Sequence, residues 1–137
     1  MYLIINTILP DQVVLYLANQ VKLLKQESIK AKRSQTEKLL PAVANFLAKQ
    51  KIAWSKVKAI GVVNGQGSFT SVRLGIMTAN ALGYAFNIPV IQILIKEELT
   101  PQLLKKFIQQ TKKAKGFKLV LPLYNREPNI TKPKERK

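Results

Sequence analysis

The sequence predicts an α/β fold, a mixed sheet of about five to six strands with helices on its faces. Three observations carry this. Three apolar or alternating runs, residues 2–7, 12–18 and 20–26, follow one another with only LPDQ and AN between them. Such short connections allow hairpins and nothing longer, so the opening is an antiparallel three-stranded meander. Beyond it, helix-period patterns alternate with short apolar runs, the rhythm of helix–strand–helix–strand. Finally, 137 residues suffice for one domain with a sizeable core.

Residues 30–35 read as a polar, basic loop. Thr36 can cap a helix running to about Lys51, with Leu39, Leu40, Val43, Phe46 and Leu47 along one face. Pro41, about one turn in, should bend or loosen it. A strand from Lys56 or Val57 to Asn64 contains AIGVV and ends at a glycine turn, and a second helix spans about Thr70 to Phe86. Pro89 opens the next strand, to about Leu94, at an end where its missing donor is tolerated. Thr100 caps a third helix, Pro101 suits its first position, and Leu103, Leu104, Phe107 and Ile108 form its apolar face. Residues 117–123 read as a last strand, completing one lobe over 1–124, and 125–137 as a basic, proline-containing flexible tail.

Composition excludes several chemistries. There is no cysteine and no histidine, which removes thiolate and imidazole metal sites, disulfides and histidine-dependent catalysis. Asp11 is the sole aspartate, and of six glutamates only Glu97 and Glu98 are neighbours, in a turn where they suit a helix start. Clustered carboxylates for two metal ions are therefore lacking. MYLIINT has neither the basic leader nor the cleavage site of a signal peptide. The uncharged run 74–95 is long enough to span a bilayer, but Asn80, Asn87, Pro89 and Gln92 interrupt it and its period changes near Asn87. A soluble cytoplasmic protein without membrane contact is the expectation. The formal charge of +16 concentrates at Lys22–Lys38, Lys105–Lys118 and Arg126–Lys137. These segments could draw in tRNA through phosphate contacts, weakly or indirectly, or simply form a solvated lysine surface.

The densest local signal is GQGSFTSVRLG, residues 65–75. Gly65 and Gly67 permit positive φ and close backbone approach, and Ser68 or Thr70 can cap the helix that follows. The turn would present free amides at a helix N-terminus, a phosphate cradle in principle, though the same geometry serves to pack a helix on a sheet. Neither a P-loop nor a complete G-x-G-x-x-G is present. A serine peptidase would need a base beside Ser68; only a serine–lysine pair remains, and capping already accounts for this serine.

The pattern Gly65, Gly67, Ser68, Phe69, Thr70, Arg73, Gly75 resembles the signature of the TsaB (YeaZ) family, partner subunits in the formation of threonylcarbamoyladenosine on tRNA. LIINT resembles the family's first strand, which usually ends in Asp-Thr; QTEKLLPAVANFL resembles its first helix, usually begun by His. NIPVIQI resembles the strand after the second helix, and LPLYNREPNI the closing segment. The resemblance covers most of 1–95 and 120–130. It implies one lobe of an actin/Hsp70-like, ribonuclease-H-like fold, in a shortened member without most of the second lobe. In nucleotide-binding relatives an acid on the first strand positions metal-bound phosphate; Asn6 stands there in this chain and cannot neutralise a cation. The resemblance thus implies a subunit without catalysis, cofactor or metal of its own.

Ser71, Gly75, Ala79 and Gly83 recur every four residues and line one nearly bare stripe of the second helix. That stripe fits close approach of the chain's own first helix or sheet, or of another molecule. Family members use their first two helices to pair with the catalytic subunit TsaD or with themselves, which implies an interface of Leu39, Leu40, Val43, Leu47, Ser71, Gly75, Ala79 and Gly83. Arg73 opposes the helix dipole and is expected to clamp a loop carbonyl or a partner carboxylate. The expected function is a non-catalytic scaffold of the tRNA threonylcarbamoyladenosine machinery, paired with a TsaD-like subunit and dimeric when alone. The rivals are a reduced ATP-binding lobe using Gly65, Gly67, Ser68 and Thr70, and a basic tRNA-binding module.

Overall fold

β1 (Tyr2–Asn6) and β4 (Ala59–Asn64) form the centre of a single sheet, and every one of their residues is buried. Burial on both faces explains why YLIIN and AIGVVN read as continuous apolar runs instead of alternating. β2 (Gln12–Ala18), β3 (Leu23–Lys30) and β5 (Val90–Leu94) complete the order β3-β2-β1-β4-β5. β1, β2 and β3 pair antiparallel, whereas β4 runs parallel to β1 and β5. This structure, a computed structural model, describes residues 1–9, 11–31, 35–65, 69–95 and 99–122. The expected basic tail, 125–137, lies outside the described residues, as do Gly67, Ser68, Glu97 and Glu98.

α1 (Gln35–Lys49) leads from β3 to β4, and α2 (Phe69–Phe86) from β4 to β5. Both join parallel strands, so they run back along the sheet in the same sense. Side-chain alternation divides the two faces. Thr7 and Val90 meet α2 at Gly75 and Gly83, while Ile4 and Ile93 converge around Gly61 with Phe107 of α3 (Pro101–Thr111). The Phe107 ring also meets Tyr2 edge-on, centroids 5.7 Å apart. Helices therefore cover both faces, as expected for this α/β class.

Several boundaries differ from the sequence reading, each for a local reason. The third strand begins at Leu23 and runs to Lys30, instead of covering 20–26 and giving way to a loop at 30. Asn19 causes the delay: its Oδ1 accepts the amides of Val21 and Lys22, both at 2.8 Å, so these residues are spent on the turn. Thr36 is not the first cap but already lies within α1. The helix passes through Pro41 without interruption, on its exposed side. A 3₁₀ turn at Trp54–Lys56 takes the start expected for the fourth strand. The last expected strand, 117–123, is absent among the described residues, for side-chain amides take the place of a ladder there. Asn80 on α2 holds both main-chain groups of Val120, donating to its carbonyl at 2.8 Å and accepting its amide at 3.0 Å. The Thr100 cap stands as expected, accepting the Leu103 amide at 3.1 Å, with Pro101 at the first position.

Both long helices end in the same device. Asn87 and Lys51 adopt left-handed φ values of 53° and 58°. Across each, the chain folds back: Ile88 donates to the Gly83 carbonyl at 2.8 Å, and Ile52 to the Leu47 carbonyl at 2.9 Å. These are Schellman closures in which Asn and Lys occupy the position glycine usually fills.

Candidate docking face and the helix-start network

Where β1 and β4 deliver the chain toward the helices, buried polar groups answer one another. The Thr7 hydroxyl donates to the Ser71 carbonyl at 2.6 Å, tying β1 to the first turn of α2. Ser71 Oγ donates to Gln35 Oε1 at 2.6 Å, and Gln35 Nε2 donates to the carbonyls of Leu9 and Gln12 at 3.0 and 2.8 Å. One glutamine side chain thus fastens the starts of both helices to the β1–β2 connection. Nothing in the periodicity marked Gln35 for this role, because its partners are three residues brought together only by the fold.

Asn6 Oδ1 accepts the Ile8 amide at 3.0 Å. Fully buried Asn64 donates to Gln92 Oε1 at 2.7 Å and the Leu121 carbonyl at 3.0 Å, and its Oδ1 accepts the Gly65 amide at 2.9 Å. Gly65 has φ +112°, the left-handed geometry anticipated for the glycine turn. Of the remaining phosphate candidates, Thr70 is exposed on α2, and Gly67 and Ser68 lie outside the described residues.

The small-residue stripe does not face a partner. Ser71, Gly75, Ala79 and Gly83 are all buried against the chain's own sheet. A Cβ at Gly75 would stand 2.5 Å from Thr7 Oγ1, and one at Gly83 would collide with Val90 and come within 2.8 Å of the Ile88 carbonyl oxygen. Their bareness lets α2 sit close on β1 and β5, which corrects the expectation of an intermolecular stripe. Leu39, Val43 and Leu47 are likewise core residues, at most 3% exposed. Of the eight expected interface residues only Leu40 is substantially exposed, at 54%.

The outward face is built from other residues. At about 100° per residue, Met77 and Tyr84 stand opposite the Gly75–Gly83 stripe, and both are strongly exposed, at 62% and 77%. Arg73 and Ala81 are exposed on the same helix. The sequence did carry this signal: α2 is apolar on nearly every side, and a helix apolar all round has a second face to cover. Leu40 lies five residues past Gln35 and Met77 six past Ser71. Since Gln35 and Ser71 are bonded and the helices run in one sense, both apolar side chains stand about one and a half turns along their helices. At the far end of α2, Phe86 stacks on Trp54 with centroids 4.6 Å apart. Among the described residues no group of three acidic side chains converges as a metal site. No described helix is long and apolar enough to cross a membrane.

Comparison with known proteins accords with this architecture. The sequence model of the family described as TsaD, tRNA N6-adenosine threonylcarbamoyltransferase, matches residues 25–100. The tRNA threonylcarbamoyladenosine biosynthesis protein TsaB of Haemophilus influenzae is 36% identical over 63 residues, 46% of this chain and 27% of that protein. The protein of the same name from Buchnera aphidicola is 25% identical over 83 residues, 61% of this chain and 38% of that one. In structure, YeaZ from Pseudomonas aeruginosa superposes with a TM-score of 0.61 at 28% identity, over 68% of this chain and 43% of its own. The chain thus spans less than half the length of these relatives. The matched span holds α1, β4, α2 and β5, and the chain belongs to the TsaD-type threonylcarbamoyltransferase family as a TsaB (YeaZ) member.

Proposed function

We propose that the chain is a non-catalytic scaffold subunit in the biosynthesis of threonylcarbamoyladenosine on tRNA, docking on a TsaD-like catalytic subunit through the outward faces of α1 and α2. The observation that carries the reading is the exposure of Leu40, Met77 and Tyr84 on two adjacent helices of a TsaB relative. Exposed apolar side chains of this size gain most by burial against another protein. A second copy of the chain would use the same face when the catalytic subunit is absent. The absence of catalysis is supported by Asn6, whose amide replaces the carboxylate expected in nucleotide-binding relatives and is engaged by the Ile8 amide. Docking acts by favouring the active arrangement of the partner, which requires tighter binding to that state than to the inactive one.

Leu40→Glu with Met77→Glu tests the reading. The pair should keep the thermal stability of the parent, abolish co-purification with the TsaD-like subunit, and reduce threonylcarbamoyl transfer to the level of that subunit alone. Undiminished pairing, or a partner equally active with and without this chain, would refute it. A second reading, direct tRNA contact, is favoured by the exposed lysines of the third helix and the segment after it, Lys105, Lys106, Lys112, Lys113, Lys115 and Lys118. It requires tRNA binding that falls steeply with salt and persists without the protein partner.

A further inference from the structure

The two edges of the sheet are built differently. β3 carries Lys25, Glu27 and Lys30 along its length, charges that oppose addition of another strand. β5, VIQIL, carries none. The Ile60 amide donates to the Pro89 carbonyl at 2.9 Å, and Gly61 and Val63 pair with Ile91 and Ile93. By the alternation of a parallel ladder, the main-chain groups of residues 91 and 93 then face β4, and those of Gln92 and Leu94 point away from the sheet. Among the described residues β5 pairs with β4 alone, and no backbone hydrogen bond closes its outer side.

Two cavities follow this edge. Toward α3, a cavity of about 230 Å³ lies between Gln92–Leu94 and Leu103, Lys106 and Phe107. A larger one, about 640 Å³, separates Pro89–Gln92 from the end of α3 and from the segment carrying Leu119 and Leu121. Those two leucines are 64% and 68% exposed, an apolar wall with nothing on it among the described residues. Four lysines rim the clefts, Lys106, Lys113, Lys115 and Lys118, and among the described residues no acidic side chain lines either.

We propose that the outer edge of β5 accepts an extended, acidic segment of another protein as an additional strand. Its main chain pairs with the outward groups of Gln92 and Leu94, its apolar side chains lie on Leu119 and Leu121, and its carboxylates meet the lysine rim. A second copy of this chain is the poorer occupant. Pairing β5 with β5 about a twofold axis would bring two lysine rims together in a chain that already carries a charge of +16.

The probe is an end-capped peptide of about six residues alternating valine and glutamate, long enough to run beside the strand. Added to the full chain, it should slow hydrogen exchange at the Gln92 and Leu94 amides, and a valine–lysine peptide should not. Leu94→Pro removes one outward donor without touching the ladder to β4, and should weaken binding roughly tenfold. Lys115→Glu with Lys118→Glu alters only exposed side chains, and should weaken binding to a similar degree whatever the proline does to folding. The proposal is overturned by absence of binding, by protection elsewhere on the chain, by binding that survives both variants, or by a cleft that takes a short single-stranded RNA in preference to the peptide.

Discussion

Gly83→Ala sets two effects of opposite sign against each other in the last turn of α2. In an isolated helix the change gains about 1 kcal/mol, since alanine is the better helix former. In this fold the new methyl collides with Val90 Cγ2, comes within 2.8 Å of the Ile88 carbonyl oxygen, and within 2.8 Å of Phe117. Phe117 can move, but Val90 is fixed in β5, and Ile88 closes the helix through its own amide to the Gly83 carbonyl. Two of the three neighbours are thus rigid. Overpacking of this kind costs about 1–3 kcal/mol, and rigid neighbours put Gly83 at the upper end; after the propensity gain, a net loss of about 2 kcal/mol remains. Urea unfolding should show a lowered midpoint with an unchanged slope. Ala81→Gly, exposed on the same helix, supplies the scale, because it should lose only the propensity difference of about 1 kcal/mol. If Gly83→Ala were as stable as the parent, the close packing of α2 on β5 would be wrong, and the stripe could again be considered for contact between molecules.

Gln35→Glu keeps the size of the side chain but removes the donor to the Leu9 and Gln12 carbonyls, and should destabilise by about 1–3 kcal/mol in denaturant titration. Asn80→Ala releases both main-chain groups of Val120; its amide should exchange with solvent much faster, while the amides of β1 and β4 keep their protection. Lys51→Gly relieves a side chain held at φ 58° and should stabilise the chain by about 1 kcal/mol, read as a higher denaturant midpoint; a loss would mean that Lys51 makes a compensating contact.

What the sequence made legible follows from how local each cause is. Thr100, Pro101 and the helix they begin depend on neighbours within four residues, and they appear where expected. The meander and the alternation of helices and strands depend on periodicity, which survives into the sheet order. The third strand was misplaced because an Asn19 side chain can consume two residues in a turn without altering hydropathy. The last expected strand is absent among the described residues because residues 117–122, although apolar enough for a strand, have both main-chain groups of Val120 held by the Asn80 side chain. The bare stripe illustrates a different limit. Spacing reveals that one side of α2 admits close approach, but only the fold decides what approaches, and here it is Thr7 and Val90 of the same chain.

That assignment changes how the polar and apolar surfaces divide the work. In open α/β sheets, ligands favour the crevice beyond the carboxyl ends of the strands. In this chain the described residues at that end satisfy one another: Asn6 with Ile8, Thr7 with Ser71, Asn64 with Gly65, Gln92 and Leu121. A ligand arriving there would have to replace hydrogen bonds that already hold β1, β4 and α2 in register, and each buried group left without its partner costs about 1–3 kcal/mol. The outer helix face has the opposite character, for Leu40 and Met77 have no polar group to satisfy when covered, and only the Tyr84 hydroxyl would need a new partner. An apolar surface of that kind would reward a partner where the polar end would penalise a ligand, which is the division of labour that the proposed docking requires: small residues of α2 seal the sheet and large ones are left for contact.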